Sequence, residues 1–387
     1  MTQKESPSAL NITLKRAIPP HFETNAAFKK IAGSQRNFKG DENSPFLAPR
    51  GVFAHGSRLL VSDTGQNRVF IWNQIPSSLT QKPDLVIGQA DLVQTGRNEG
   101  GSASSKSLQY PSAVWTDGKR MIVADAWNHR VLVWNSFPTE SHQAADVVIG
   151  QDDFLGNLPN KLGINAAPSA SSLYWPYGIA VHEGMLFVAD AGNRRVVVFN
   201  SIPTESVTPA DAVIGQEDFE GRSYDPQNAI WPYGVSLGSQ GELAITDTQY
   251  FRVLIWNHWR DALAQNANRI IGQMDFESNG QNMFGLTPSP CSLNWCYCSQ
   301  FYQNGIFVGD TGNSRILWFE NLPSTNGAEA DSLIGKPDFF TGSEFADTVY
   351  GTEKSMYWPF SFCVEQKQLF IADTGNHRIL IQDLLID

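Results

Sequence analysis

The chain has few charged residues, few cysteines and no long apolar run. Charged side chains make up 17% of its 387 residues, below the roughly 25% of an average domain. No apolar run approaches the ~20 residues that a membrane-spanning helix requires. The N-terminal residues 1–7 are polar and do not lead into the apolar core of a signal peptide. The sequence therefore predicts a cytoplasmic protein with no membrane partner.

Positive charge is scarce outside the first 50 residues. The net charge of the chain is −11, and residues 51–387 hold 20 Lys and Arg against 35 Asp and Glu, a net charge of −15. An acidic body repels phosphate backbones, so we expect no nucleic-acid partner.

The chain has four cysteines, and all of them lie in its last hundred residues: Cys291, Cys296, Cys298 and Cys363. Four thiols on neighbouring strands can hold Zn²⁺ or Cu⁺, so these residues are candidate metal ligands. The alternative is structural, because the spacing is not that of a standard zinc finger or ribbon and buried free cysteines are common.

A short element occurs six times and organises the chain. In each copy an apolar run ends in an aspartate, a small polar turn follows, and an arginine five places later opens a second apolar run. The aspartates are Asp63, Asp125, Asp190, Asp247, Asp310 and Asp373. The steps between them, by subtraction, are 62, 65, 57, 63 and 63 residues. A period of this length is typical of a repeat protein.

Each repeat predicts four antiparallel strands. The first strand follows an aromatic–proline pair such as Trp175-Pro176, and the fourth carries an Ile-Gly-Gln segment such as 149–151. Radial repetition of such units gives a β-propeller, so we predict an all-β fold with six blades over residues 29–387. Residues 1–28 are interpreted as an N-terminal arm. Because residues 30–38 resemble a fourth strand, we expect the N-terminal strand to complete the last blade and close the ring.

The motif Pro-x-Gly followed by Asp-x-Gly-Asn-x-Arg resembles the NHL repeat, and the resemblance extends from about Ile31 to the C-terminus. It implies a propeller of that family, whose members include RNA-binding modules, sensors, interaction platforms and peptidyl-hydroxyglycine lyases. The fold alone does not determine which of these activities a protein of the family has. The lyases of the family bind zinc through histidines that converge on the channel. Here His55 and His182 are expected at the opposite face from His129 and His377.

The Asp and Arg pairs are interpreted as structural, since buried charges are paired and catalytic groups rarely occur in six copies. We expect each aspartate to cap the turn that follows it and to pair with its arginine. In the fourth repeat Gln249-Tyr-Phe251 replaces the Gly-Asn pattern, which predicts a distorted turn.

A candidate site lies where the first strands begin, because these strands line the axis of a propeller. The residues directly after the blade-opening proline, or after the cysteine that replaces it, are Arg50, Ser112, Tyr177, Tyr233, Tyr297 and Phe360. The residues before it add Tyr110, Trp175, Trp231, Trp295 and Trp358. We select Arg50, Tyr177, Tyr233, Tyr297, Phe360 and Trp231 as candidate ligand-binding residues, with Cys296 or Cys298 at the pocket wall. The alternatives are that the tyrosines only plug the channel and that the tryptophans pack beneath loops.

Two functions remain open at this point. The first is a monomeric binding platform for a protein or a small ligand at the channel mouth, walled by long inter-blade loops. The second is a lyase or hydrolase with its site at the same mouth, with a metal at the cysteines as a further option. The sequence contains no recognisable nucleophile–base pair, which favours the platform.

Overall fold

The computed structural model of the protein describes residues 30–343, 352 and 355–386. The predicted N-terminal arm, residues 1–28, lies outside the described residues. Within them the chain forms six antiparallel sheets of four strands each, arranged as the blades of a propeller. The predicted all-β, six-bladed fold is confirmed.

The strands are numbered in chain order, and blades 1 to 5 each use four consecutive ones. Blade 1 contains β2 (Gly51–His55), β3 (Arg58–Asp63), β4 (Arg68–Trp72) and β5 (Leu85–Ile87). Blade 2 contains β6 (Pro111–Thr116), β7 (Met121–Asp125), β8 (Arg130–Trp134) and β9 (Val147–Ile149). Blade 3 contains β10 (Pro176–His182), β11 (Met185–Asp190), β12 (Arg195–Phe199) and β13 (Ala212–Ile214).

The remaining blades follow the same order until the last, which takes its outer strand from the start of the chain. Blade 4 contains β14 (Pro232–Leu237), β15 (Leu243–Asp247), β16 (Arg252–Trp256) and β17 (Arg269–Ile271). Blade 5 contains β18 (Cys296–Tyr302), β19 (Gly305–Asp310), β20 (Arg315–Phe319) and β21 (Ser332–Ile334). Blade 6 contains β22 (Pro359–Glu365), β23 (Gln368–Asp373), β24 (Arg378–Leu384) and β1 (Ala32–Phe38).

The pairing of β1 with β24 closes the ring, as the sequence predicts. The two strands are antiparallel, with Gln35 opposite Gln382 and Phe38 opposite Ile379. The Gln382 side chain adds a hydrogen bond of 2.9 Å to the Ser34 carbonyl. The closing strand continues to Phe38, three residues beyond the expected pairing.

One turn of 3-10 helix joins the second and third strands of every blade. These turns are Thr64–Gln66, Ala126–Asn128, Ala191–Asn193, Thr248–Tyr250, Thr311–Asn313 and Thr374–Asn376. Within the described residues three other 3-10 helices lie in loops, at Arg97–Gly100, Asp261–Leu263 and Gln281–Phe284. The prediction of a distorted turn in blade 4 is wrong. Phe251 adopts a left-handed φ of 50°, as the corresponding residues of the other blades do, at φ 54–56°.

The repeated Asp and Arg residues form a buried ion pair within each blade. In blade 2 the Arg130 Nε donates to Asp125 Oδ2 at 2.7 Å, and both side chains are fully buried. The second Asp125 oxygen accepts the N–H of Gln109 at 2.7 Å, in the loop that enters the first strand. Arg130 also donates to the carbonyl of Phe154 beyond the fourth strand. The ion pairs are as expected, but the aspartate secures the loop before the first strand and does not cap the turn.

The core of the molecule lies between the blades. Trp72, Trp134 and Trp256 occupy one position on the third strand and are almost completely buried. Each indole N–H is satisfied by a loop carbonyl at 3.0–3.2 Å. No helix among the described residues is long and apolar enough to cross a membrane.

Candidate functional site

Four aromatic side chains form an arc around the axis at the channel mouth. Tyr177 and Tyr233 are stacked, with ring centroids 4.4 Å apart and planes 13° from parallel. Tyr233 meets Tyr297 edge to face at 4.5 Å, and Tyr297 contacts Phe360 at 4.3 Å. These residues open the first strands of blades 3 to 6, so the sequence places them correctly. Their rings pack against one another and fill the axis.

Arg50 of blade 1 completes the ring. Its guanidinium carbon lies 3.9 Å from the centroid of Phe360 and 5.0 Å from that of Tyr110. Tyr110 in turn meets Tyr177 at 6.5 Å. One Arg50 nitrogen reaches the Tyr233 hydroxyl at 3.5 Å. Because blades 1 and 4 are opposite in a ring of six, this contact spans the axis.

Blade 2 departs from the expected pattern. Ser112, the predicted member of the ring, is buried and donates from its Oγ to the Tyr177 carbonyl at 2.7 Å. Tyr110, on the other side of the proline, takes the place that Ser112 was expected to fill. Trp127 then stacks on Tyr110 at 4.5 Å and 9°. Trp127 was not predicted, and its only sequence signal is a large aromatic in a turn where four of the other five repeats have Gly.

The backbone directs the residues before the first strand towards the mouth. Five of the six have a left-handed φ of 49–57°: Ala48, Tyr110, Trp175, Trp295 and Trp358. Bulky residues seldom adopt this conformation, and such strain concentrates at functional sites. Trp231 is the exception. Its N–H donates to Asp247 Oδ1 at 2.9 Å. In each of the other blades the corresponding hydrogen bond is donated by the residue one position earlier in the chain.

The tryptophans of this set differ in their packing. Trp175 and Trp231 contact each other at 5.6 Å and are partly buried, which agrees with the packing alternative. Trp295 and Trp358 are 44% and 45% exposed. The candidate Trp231 is therefore less accessible than Trp295 and Trp358, which were placed near the mouth but not selected as ligand-binding residues.

The residues that directly precede the blade-opening proline or cysteine are called entry residues below. In several blades a side chain in the 3-10 turn of the preceding blade accepts a hydrogen bond from the backbone N–H of the entry residue. The Trp175 N–H donates to His129 Nδ1 at 3.1 Å, and the Tyr110 N–H donates to Asn67 Oδ1 at 3.0 Å. Ser314 and His377 accept the corresponding bonds from Trp358 and Ala48. The histidines His129 and His377 thus have structural partners at the mouth.

The thiols of the four cysteines contact different parts of the chain. The Cys296 thiol is fully buried and donates to the Arg252 carbonyl at 3.2 Å, between blades 4 and 5. The thiols of Cys298 and Cys363 contact backbone atoms across the two neighbouring inter-blade seams, and that of Cys291 lies 3.4 Å from the Ser289 hydroxyl. In the described part of the chain, no group of three or more His, Cys, Asp or Glu could hold a metal ion. The expectation of Cys296 or Cys298 at the pocket wall is wrong, because both face seams between blades.

The ring has a single charge. Burial raises the pKa of the Tyr110, Tyr177, Tyr233 and Tyr297 hydroxyls above the ordinary value of 10.0, so all four stay protonated at neutral pH. Among the residues that the structure describes, none forms an ion pair with Arg50. Within the described residues the ring at the mouth therefore combines a cation with phenolic donors and contains no carboxylate.

Comparison with known proteins adds relatives at low identity. NHL repeat-containing protein 2 from Bos taurus is 24% identical over 301 residues, which cover 71% of this chain and 39% of that protein. The Gallus gallus protein is 22% identical over 362 residues, covering 87% and 46%. The chain thus spans less than half the length of the curated relatives it matches. No protein-family model matches the chain.

Solved structures give only distant likenesses. A protein of unknown function from Bacteroides thetaiotaomicron VPI-5482 has a TM-score of 0.49 at 12% identity, covering 92% of this chain and 76% of that chain. Catalytically inactive virginiamycin B lyase from Staphylococcus aureus with quinupristin has a TM-score of 0.47 at 9% identity, covering 91% and 99%. We draw no conclusion from either. With the six repeated Asp and Arg elements, the curated relatives confirm that the chain resembles the NHL-repeat β-propellers.

Proposed function

We propose that the protein is a binding platform whose channel-mouth face holds a small ligand or a protein segment through an anionic group at Arg50. The observation that carries the proposal is the Arg50 guanidinium, fixed on the axis by two aromatic rings and lacking an ion-pair partner among the described residues. Cations in such surroundings are normally paired.

The donor chemistry around Arg50 suits an anion. A guanidinium carries five N–H donors, and the one side-chain hydrogen bond of Arg50 within the described part of the chain goes to the Tyr233 hydroxyl. Tyr110 and Tyr297 also lie close enough to interact electrostatically with Arg50. A carboxylate or phosphate at this point would receive charge-assisted hydrogen bonds, each worth roughly 1.5–3 kcal/mol.

Binding is favoured over a lyase or hydrolase reaction by the state of the thiols. Burial raises the pKa of both Cys298 and Cys363 to about 12 and that of Cys296 well above its ordinary value. Thiols in this state are poor nucleophiles, because the thiolate is the reactive form. The phenols of the ring are likewise held protonated.

The test uses benzoate as the anionic probe and benzamide as its neutral counterpart. Titrations followed by NMR are carried out with the wild type, Arg50→Met and Tyr233→Phe. Methionine keeps much of the side-chain volume without charge, and phenylalanine keeps the ring stack without the hydroxyl. We expect benzoate to bind more tightly than benzamide, and Arg50→Met to weaken benzoate binding by at least tenfold.

Tyr233→Phe should weaken benzoate binding by a smaller factor and leave benzamide unaffected. Ser112→Ala is the matched control, because Ser112 opens the first strand of blade 2 but does not belong to the ring. Equal affinity of wild type and Arg50→Met for benzoate would overturn the proposal, and so would tighter binding of benzamide.

A further inference from the structure

We propose that a cleft between blades 5 and 6 is a binding site for a neutral, planar heteroaromatic ring that carries an N–H donor. The cleft has a volume of about 350 Å³ and opens beside the ring of the channel mouth. The inference deepens the proposed function, since it concerns the same face, but the indoles and the amide on which it depends are not part of the anion site at Arg50.

The walls of the cleft are aromatic. Trp295 and Trp358 both line it, together with Tyr297, Tyr357 and Phe360. In blades 3 and 4 the equivalent pair, Trp175 and Trp231, is in contact. In blades 5 and 6 the two indoles are not among the ring contacts of the described residues, and both are nearly half exposed. The two indoles are thus in contact between blades 3 and 4 but are separated between blades 5 and 6.

Each open indole is held by a neighbour on its own side. Trp295 meets Phe251 of blade 4 edge to face at 5.3 Å, and Trp358 stacks on Tyr357 at 5.0 Å. Phe251 occupies the turn position at which four of the other five blades carry an acceptor for the residue before the next first strand. Trp295 is instead oriented by ring packing. Walls fixed in this way are pre-organised, which lowers the cost of binding a flat ring between them.

A buried amide supplies the polar contact. Asn294 lines the cleft and is only 7% exposed, and its Oδ1 has no hydrogen-bond partner in the described part of the chain. A buried acceptor without a donor is costly and calls for an explanation. A small rotation of the Asn294 amide would present this oxygen to a ring N–H in the cleft, which specifies a donor on the ligand.

The charge and hydroxyl content of the lining narrow the ligand class. Among the residues that the structure describes, those that line the cleft carry no charge, and the Arg50 cation lies against Phe360, which discourages a cationic guest. The hydroxyls of Thr311 and Ser343 already donate to the backbone carbonyls of Pro359 and Gly312. Few hydrogen-bonding groups are therefore left to pair with the many hydroxyls of a sugar, and the cleft favours a neutral aromatic ring.

Indole, N-methylindole and glucose serve as probes, with binding measured by saturation-transfer NMR titration. Indole is flat, neutral and has one N–H donor, and N-methylindole lacks only that donor. We expect indole to bind in the millimolar range, N-methylindole about tenfold more weakly, and glucose not at all at the same concentration. Trp358→Ala and Trp295→Ala should each weaken indole binding at least fivefold.

Asn294→Leu separates the amide contact from the shape of the cleft. It should weaken indole binding about tenfold and leave N-methylindole unchanged. Gln109→Leu, the same position in blade 2, is the matched control and should leave both probes unchanged. Binding of glucose in preference to indole would overturn the proposal, as would equal binding of indole and N-methylindole.

Arg50→Met distinguishes this inference from the anion site. It should change indole affinity less than twofold while abolishing the preference for benzoate. If wild type binds benzoate but not indole, the anion site stands and the cleft proposal fails. If it binds indole but does not prefer benzoate to benzamide, the cleft proposal stands and the anion site fails.

Discussion

The Nδ1 atom of His129 accepts a hydrogen bond of 3.1 Å from the backbone N–H of Trp175, across the seam between blades 2 and 3. Only the neutral imidazole with its proton on Nε2 can accept this bond. Burial lowers the pKa of His129 from 6.5 to about 4, which keeps the imidazole neutral at physiological pH. The seam therefore depends on a histidine that stays uncharged.

Stability should fall on acidification through this histidine. Between pH 6.5 and about 4 the unfolded chain binds a proton at His129 that the folded protein does not. The contribution of His129 to the free energy of unfolding is therefore complete above pH 6.5. It decreases as the pH drops towards 4, by roughly 3 kcal/mol in total. His129→Asn provides a non-titrating acceptor, as Asn67 does in blade 1, and should remove this part of the pH dependence.

Urea denaturation of both proteins at several pH values between 7.5 and 4.5 measures the difference. Burial raises the pKa of carboxyls such as Asp63, to about 6, and these titrate with the opposite sign. They are common to both proteins and cancel when the two curves are subtracted. Parallel curves for wild type and His129→Asn would contradict the role assigned to His129.

Truncation of the stacked tyrosine should destabilise the fold. Tyr233 is 8% exposed and lies between Tyr177 and Tyr297. Tyr233→Ala removes both ring contacts and should lower the free energy of unfolding by about 2–4 kcal/mol. Tyr233→Phe keeps the rings and should cost less than about 1 kcal/mol. Equal melting temperatures for Tyr233→Ala and wild type would show that the stack contributes nothing.

Removal of one member of a buried ion pair should be more costly than removal of both. The Nε of Arg195 lies 2.8 Å from Asp190 Oδ2, and neither side chain is exposed. Arg195→Met leaves a buried carboxylate without its cation and should cost about 3–5 kcal/mol. The double variant with Asp190→Asn should recover part of that loss in chemical denaturation. A double variant less stable than Arg195→Met alone would contradict the ion-pair argument.

Loss of the closing strand should weaken the whole ring. Deletion of residues 1–36 removes most of β1, so β24 loses its hydrogen-bonded neighbour at Gln35 and Arg36. We expect a clear fall in melting temperature, measured by calorimetry. Deletion of residues 1–29 is the matched control, because β1 remains intact. The closure would be contradicted if the longer deletion melted at the temperature of the shorter one.

The blades were predictable because their period and their apolar alternation are visible in the residues themselves. The arc from Tyr177 to Phe360 was predictable for the same reason, since equivalent positions of a radial repeat converge on the axis. Tyr110 was placed near the mouth, but the ring position of blade 2 was assigned to Ser112. The short Ser112 side chain bonds to the Tyr177 carbonyl instead, and Tyr110 contacts Arg50 in its place. The left-handed backbone of Tyr110 does not explain this difference, because the corresponding residues of four other blades share it.

The cysteines were misplaced for a different reason. On a regular strand Cys296 and Cys298 would share one face. The pairing register of β18 shifts between Cys296 and Ser299, and Cys296 packs towards blade 4 whereas Cys298 packs towards blade 6. The exposure of Trp295 and Trp358 was also beyond the sequence. It depends on how far apart two equivalent indoles lie, and the same residue type is closed in blades 3 and 4.

The contact between Arg50 and Tyr233 joins two residues that are 183 positions apart in the chain and lie on opposite blades. A substitution at either residue therefore changes the surroundings of a side chain on the far side of the ring. The effects of substitutions at the two positions on stability should for this reason not be additive.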